Sequence, residues 1–142
     1  MTKIDLSVII SRIEKIRIAA KKLARFVGLS VNDFKSNSDN IDIAERNLEV
    51  AIEAMLDIGN HIITISGFKK PDDYYDIFII LGKNHVLNME FAESIAPLAG
   101  LRNAIVHDYM DIDHEQLLEN IKNRLSDFEE FTKQIMLFVK IA

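Results

Sequence analysis

The chain has 142 residues, of which 49% are hydrophobic and 27% are charged, and its formal net charge is −5. This length and composition predict one folded domain over residues 1–142 and argue against a disordered chain. Because the sequence contains no cysteine, disulfide frameworks, zinc–thiolate sites and cysteine nucleophiles are excluded.

Nothing in the sequence indicates secretion or a membrane span. The N-terminal segment is charged throughout and lacks the apolar run and small-residue cleavage site of a signal peptide. The apolar run at residues 77–81 is far shorter than the roughly 20 residues that a helix needs to cross a bilayer. We therefore expect a cytoplasmic protein that does not bind membranes.

The first predicted element is an amphipathic helix over residues 5–27, where apolar side chains recur in steps of three and four until Gly28. Residues 1–25 contain seven Lys and Arg against two acids, although the chain as a whole is acidic. A basic helix of this kind can contact nucleic acid, but a solvated helix face is the interpretation we favour.

The next segment, residues 31–40, is polar and predicts a loop. Residues 39–66 then predict a long helix with apolar side chains on two stripes, which places it at the centre of a bundle. Ser38 or Asp39 can cap its start, and Gly67 ends it.

Two further helices are predicted before residue 107. Pro71 suits the first turn of a short helix that runs to Gly82. Another helix begins near Asn88 and continues through Val106, and Pro97 kinks or restarts it because proline has no amide N–H to donate.

The last helix is predicted to start at Asp113 and to reach almost to the C-terminus. Gln116 follows three residues later, as in a capping box with Asp in the cap position. No segment favours a strand over a helix. The predicted fold is therefore all-α: an up-and-down bundle of four long helices plus a short fifth helix.

Polar groups that can carry chemistry are concentrated in residues 101–113. Arg102, Asn103, His107 and Tyr109 fall within eight residues. Asn103 and His107 are four apart and share a helix face, whereas Tyr109 meets His107 only if the helix ends there.

These residue types suit cleavage of an RNA phosphodiester by its own 2′-hydroxyl, a reaction that needs no metal. Histidine exchanges protons near neutral pH, and arginine can hold a phosphate and stabilise its transition state. One histidine supplies the base or the acid, and two copies at a two-fold dimer interface would supply both. Taken alone, the spacing favours a different interpretation, in which Arg102 and His107 flank a helix end and pair with nearby aspartates.

The segment Arg102-Asn103-Ala-Ile-Val-His107-Asp-Tyr109 resembles the signature of HEPN-domain proteins, in which an arginine and a polar residue precede a histidine. With a tyrosine two residues after the histidine, the segment is similar to that of the HepT-like toxin branch, whose members pair with a minimal nucleotidyltransferase antitoxin. Residues 43–113 resemble that branch more widely, through the central helix, the connection after it and the helix that carries the motif.

This resemblance implies a HEPN-like homodimer in which Arg102, Asn103 and His107 of both protomers line a cleft at the interface. It implies the toxin of a type VII-like toxin–antitoxin pair, an endoribonuclease that acts on RNA. It further implies that the antitoxin attaches AMP from ATP to Tyr109. A bulky anion at that position would block the site and compete for its positive charge.

No cofactor or metal site is predicted. The five glycines are scattered, so no Gly-rich loop is available to cradle ATP, and any ATP chemistry must come from a partner. Glu49 and Glu53 are four apart in the central helix, but no Glu-x-x-His motif accompanies them, and we expect two exposed acids.

The other histidines and tyrosines carry no predicted function. His61 in the central helix either bonds to a backbone carbonyl inside the bundle or reaches the cleft, and we favour the structural role. His85 and His114 lie in a loop and at a helix start, and Tyr74 and Tyr75 are expected to pack at a helix start.

Three hypotheses about the function are compatible with the sequence. The favoured one is a metal-independent ribonuclease toxin. The second is a non-catalytic binding module of the same fold, which docks to a nucleotidyltransferase and is modified on Tyr109. The third is a structural helical dimer in which the motif is incidental.

Overall fold

The computed structural model describes residues 3–107 and 112–141, and every regular element in these ranges is helical. Three helices are long and four are short. They are α1 (Leu6–Leu23, continued by a 3-10 turn at Ala24–Phe26), α2 (Val31–Lys35), α3 (Ser38–Ser66), α4 (Tyr74–Lys83), α5 (Met89–Ile95), α6 (Leu98–His107) and α7 (His114–Ile141). The predicted all-α class is confirmed. None of the helices in the described ranges combines the length and the apolar character that crossing a membrane requires.

Helix α3 lies at the centre, as its two apolar stripes predict. It packs against α1, α4, α6 and α7, and its buried side chains include Leu48, Met55 and Ile58. A residue on α3 can therefore meet residues from helices far away in the sequence. This central position brings the candidate site together.

The predicted fourth long helix consists of two short helices, α5 and α6, which meet at Pro97. Proline has no N–H for a helical hydrogen bond, so α5 ends before it and a new helix starts after it. The carbonyl of Pro97 accepts the N–H groups of Gly100 and Leu101, which begins α6. As a result, α6 has its own direction and carries Arg102, Asn103 and His107 on a ten-residue helix.

The predicted loop over residues 31–40 is wrong in part, because it contains α2. Ser30 caps this helix by accepting the N–H of Asp33, and Phe34 is fully buried against Phe26 with ring centroids 5.3 Å apart. A five-residue helix with one buried side chain is too short to show helical periodicity, so the sequence pattern does not indicate it.

The start of α3 also differs from the prediction. Asn37 caps this helix by accepting the N–H of Asp39, whereas Ser38 and Asp39 already belong to the helix. At its other end Gly67 adopts the left-handed conformation with φ 71°, as a helix-ending glycine should. At the start of α7, Asp113 accepts the N–H of Glu115, in agreement with the predicted helix start.

His61 has the structural role that we favoured, although its partner is an N–H group and not a carbonyl. Its Nε2 accepts the backbone N–H of Asp5 at 3.1 Å, which ties the start of α1 to α3. The hydroxyl of Ser7 donates to the Asp5 carboxylate and lowers the pKa of that group. His61 therefore helps to fix helix α1 and lies outside the candidate site.

Gly59 allows α4 to approach α3 closely. A Cβ atom at this position would lie 2.6 Å from Cγ2 of Ile77, closer than real contacts allow. The close approach sets the position of α4, which begins at Tyr74 and also contacts α6.

Candidate functional site

The site is built around the guanidinium of Arg102, which projects from α6 towards α3. Its side chain is only 15% exposed. Nε donates to Oε1 of Glu53 at 2.7 Å, and Nη2 lies 2.6 Å from the same oxygen in an ion-pair contact. A charge-assisted contact of this kind fixes the direction of a planar guanidinium. The prediction of two exposed acids at Glu49 and Glu53 is therefore wrong, because both are half-buried. Glu53 engages Arg102, and Glu49 forms a looser pair with Arg46 at 3.5 Å.

Two further groups hold the same guanidinium. Nη1 of Arg102 donates to Oδ1 of Asn103 at 3.0 Å. On another side, Cζ of Arg102 lies 4.8 Å from the centroid of the Tyr74 ring, a cation–π contact. Tyr74 thus does more than pack at the start of α4, and 45% of it stays exposed.

His107 is the last residue of α6 and is exposed at the protein surface. It follows Asn103 by four residues, so the two side chains share one face of α6, with about 6 Å of helix rise between them. The structure thus brings Arg102 and Asn103 into direct contact and places His107 one turn further along. The fourth predicted residue, Tyr109, lies outside the described residues.

An open cleft of about 620 Å³ adjoins this group. Helix α3, the segment that leads into α4, and Asn103 form its walls. The polar lining residues are Asp57, Asn60, Lys70, Asp72, Asp73, Tyr74 and Asn103. Asn103 therefore faces both the arginine and the cleft.

The arrangement is suited to holding an anion in a fixed place. Of the five N–H groups of the guanidinium, Glu53 accepts the one on Nε and Asn103 accepts one on Nη1, so at least one N–H on Nη1 and one on Nη2 have no partner in the described residues. Two N–H donors on one guanidinium can bind two phosphate oxygens. The described residues include no group of three His, Asp or Glu side chains arranged to hold a metal ion.

Glu53 and Tyr74 are parts of the site that the sequence pattern does not predict. Glu53 is 49 residues from Arg102, and helical periodicity reports only neighbours three or four residues apart. One indication was present: Glu53 is an acid in the most apolar stretch of the central helix, where an unpaired carboxylate is unfavourable.

The basic residues of α1 are partly engaged by acids of other helices. Arg12 pairs with Asp57 at 3.2 Å, and Arg17 approaches Glu129 at 3.8 Å. These contacts favour the interpretation of α1 as a solvated face whose charge is balanced locally.

Comparison with known proteins gives concordant results. The family model described as "Ribonuclease HepT-like" matches residues 16–135. A protein of Aphanizomenon flos-aquae named tRNA nuclease HepT is 36% identical and covers 95% of this chain and 92% of its own. A protein of Shewanella oneidensis named mRNA nuclease HepT is 29% identical and covers 87% of this chain and 92% of its own.

Among solved structures, the chain is similar to a tri-AMPylated HEPN toxin of Shewanella oneidensis in complex with an MNT antitoxin. The TM-score is 0.83 and the sequence identity 28%, and the match covers 92% of this chain and 97% of that one.

The Glu53–Arg102 pair should contribute measurably to folding. A double-mutant cycle with Glu53→Gln and Arg102→Met is expected to give a coupling free energy of about 1 kcal/mol in urea unfolding, since the carboxylate is partly exposed to solvent. The Arg46–Glu49 pair, whose arginine is 70% exposed, is the control, and its coupling is expected to stay below about 0.5 kcal/mol. Equal coupling in the two cycles would show that Glu53 does not hold the guanidinium in solution.

Proposed function

Because the chain belongs to the HepT-like ribonuclease family, we propose that it is a metal-independent RNA endonuclease and the toxin of a toxin–antitoxin pair. The observation that carries this proposal is the Arg102 guanidinium, which Glu53 and Asn103 hold on the helix that ends in His107. The two HepT relatives are named for different RNA classes, tRNA and mRNA, so the proposal specifies RNA as the substrate and no class of RNA.

The proposed reaction is an attack of the RNA 2′-hydroxyl on the adjacent phosphorus. A neutral His107 accepts the proton of the 2′-hydroxyl, and a protonated His107 donates a proton to the leaving 5′-oxygen. The P–O5′ bond breaks as the P–O2′ bond forms, which leaves a 2′,3′-cyclic phosphate and a 5′-hydroxyl. Arg102 stabilises the charge that builds on the phosphorus oxygens in the transition state.

This chemistry requires two histidines, and each chain contributes one His107. We therefore propose a homodimer in which α6 of both protomers faces a shared cleft, so that one His107 acts as base and the other as acid. The exposed position of His107 at the end of α6 suits such a shared site. Two Arg102 side chains would then reach the same phosphate, and no bound cofactor is needed.

The proposed partner is a nucleotidyltransferase antitoxin that transfers AMP from ATP to Tyr109. Its support is the similar toxin structure, which is AMPylated and bound to an MNT antitoxin. Tyr109 follows His107 by two residues in the sequence, so the phosphate of an attached AMP would lie near the catalytic group. It would compete with the RNA phosphate for Arg102.

RNA cleavage in EDTA tests the proposed chemistry. The wild-type protein is expected to cut RNA and leave cyclic phosphate ends, and His107→Asn is expected to reduce the rate by about 10² to 10⁴-fold. The matched control is His85→Asn, because His85 has a positive φ of 61° that asparagine tolerates, and this variant should cut like the wild type. If His107→Asn cuts as fast as the control, the proposed catalytic role is wrong.

Modification by the antitoxin tests the role of Tyr109. With the cognate nucleotidyltransferase and ATP, intact-mass measurement should show AMP on the wild type and on Tyr75→Phe, whose parent residue is 48% exposed. Tyr109→Phe should stay unmodified, and the AMP-bearing wild type should no longer cut RNA. Modification of Tyr109 in a protein that never cuts RNA would instead support the non-catalytic binding module.

A further inference from the structure

We propose that the cleft beside Arg102 is a subsite for a nucleobase with an exocyclic amino group, next to the scissile phosphate, with Tyr74 as its stacking surface. The inference rests on the proposed function, because it takes RNA as the substrate. It adds which part of the RNA the cleft holds and which residues recognise it.

The position of Tyr74 supports the stacking of a base in the cleft. Its ring contacts Arg102, yet 45% of the residue is accessible, and it lines the cleft. An accessible aromatic ring next to a phosphate-binding arginine is the arrangement on which single-stranded nucleic acids stack their bases. A base on Tyr74 would place its adjoining phosphate near the guanidinium.

The charge of the cleft indicates which chemical group it accepts. Three aspartates line the cleft, Asp57, Asp72 and Asp73, against one lysine, Lys70. A wall with more acidic than basic side chains disfavours the binding of a second phosphate. Carboxylates do accept hydrogen bonds from the amino group of a base such as cytosine, so the cleft suits the uncharged base of a nucleotide.

Not all of these carboxylates are available to a ligand. Asp57 pairs with Arg12, and Asp73 caps α4 by accepting the N–H of Asp76. The side chain of Asp72 forms no hydrogen bond or ion pair with other described residues. Asp72 is therefore the carboxylate that we assign to the amino group of the base.

The shared residue Asn103 connects the two parts of the site. Its Oδ1 accepts from Arg102, and the residue also lines the cleft. With a volume of about 620 Å³, the cleft lies in the size range of small-molecule pockets and has room for one base.

Binding of an uncleavable oligonucleotide tests the stacking step. The probe is a short 2′-deoxy strand with 2-aminopurine at alternate positions, whose fluorescence falls when the base stacks on an aromatic ring. The wild type is expected to quench it, Tyr74→Phe should bind equally, and Tyr74→Leu should raise the Kd about 5-fold to 100-fold. An unchanged Kd for Tyr74→Leu, or no binding by the wild type, would overturn the subsite.

A matched pair of bases tests the amino-group step. Cytosine has an amino group at C4 where uracil has a carbonyl, and its N3 carries no proton where that of uracil does, so 2′-deoxy strands with one or the other are compared. We expect the wild type to bind the cytosine strand several-fold more tightly and Asp72→Asn to reduce that preference. Equal binding of both strands by the wild type would refute recognition of the amino group.

The two proposals fail in different ways in these experiments. Binding that depends on Tyr74, in a protein that does not cut RNA in EDTA, would leave the subsite standing and refute the nuclease. Cleavage that depends on His107, with an oligonucleotide Kd unaffected by Tyr74→Leu, would support the nuclease and refute the subsite. If Tyr74 only positioned Arg102, the wild type would bind the probe without quenching its 2-aminopurine fluorescence.

Discussion

The contact between Arg102 and Glu53 is the interaction on which the candidate site depends. One carboxylate oxygen from the central helix α3 accepts the Nε–H of a guanidinium from α6 and also contacts its Nη2, and that guanidinium is largely withdrawn from solvent. Tyr74 from α4 and Asn103 complete its surroundings. Three helices thus converge on one side chain, and their packing determines where its remaining donors point.

The same contact limits how the site can attract RNA. Glu53 offsets much of the charge of Arg102, the cleft is lined by more acidic than basic side chains, and the chain has a net charge of −5. Long-range attraction to the phosphate backbone is therefore weak. A pre-positioned guanidinium interacts most strongly with the phosphate in the transition state, because negative charge builds on the phosphate there. Two protomers would supply two such guanidinium groups. Stacking on Tyr74 and a hydrogen bond to Asp72 would provide binding energy that does not rely on net charge.

The sequence predicts those features of the fold that depend on neighbours along the chain. The long helices α1, α3 and α7 follow from periodicity, and Pro97 marks the boundary between α5 and α6. Helix α2 is not predicted, because a single buried side chain, Phe34, makes no periodic pattern. Arg102 stands out through its spacing to other polar residues, whereas Glu53 and Tyr74 reach it only after folding, across three helices, and no local pattern reports such a contact.

The most direct test of the account is a subunit-mixing experiment, because the central claim is that one active site needs His107 from two protomers. Wild-type protein is refolded together with increasing shares of His107→Asn, and RNA cleavage in EDTA is measured. A shared site predicts that activity falls with the square of the wild-type fraction, to about one quarter at equal amounts. A linear fall, to about one half at equal amounts, would show that each protomer cuts on its own and would contradict the account.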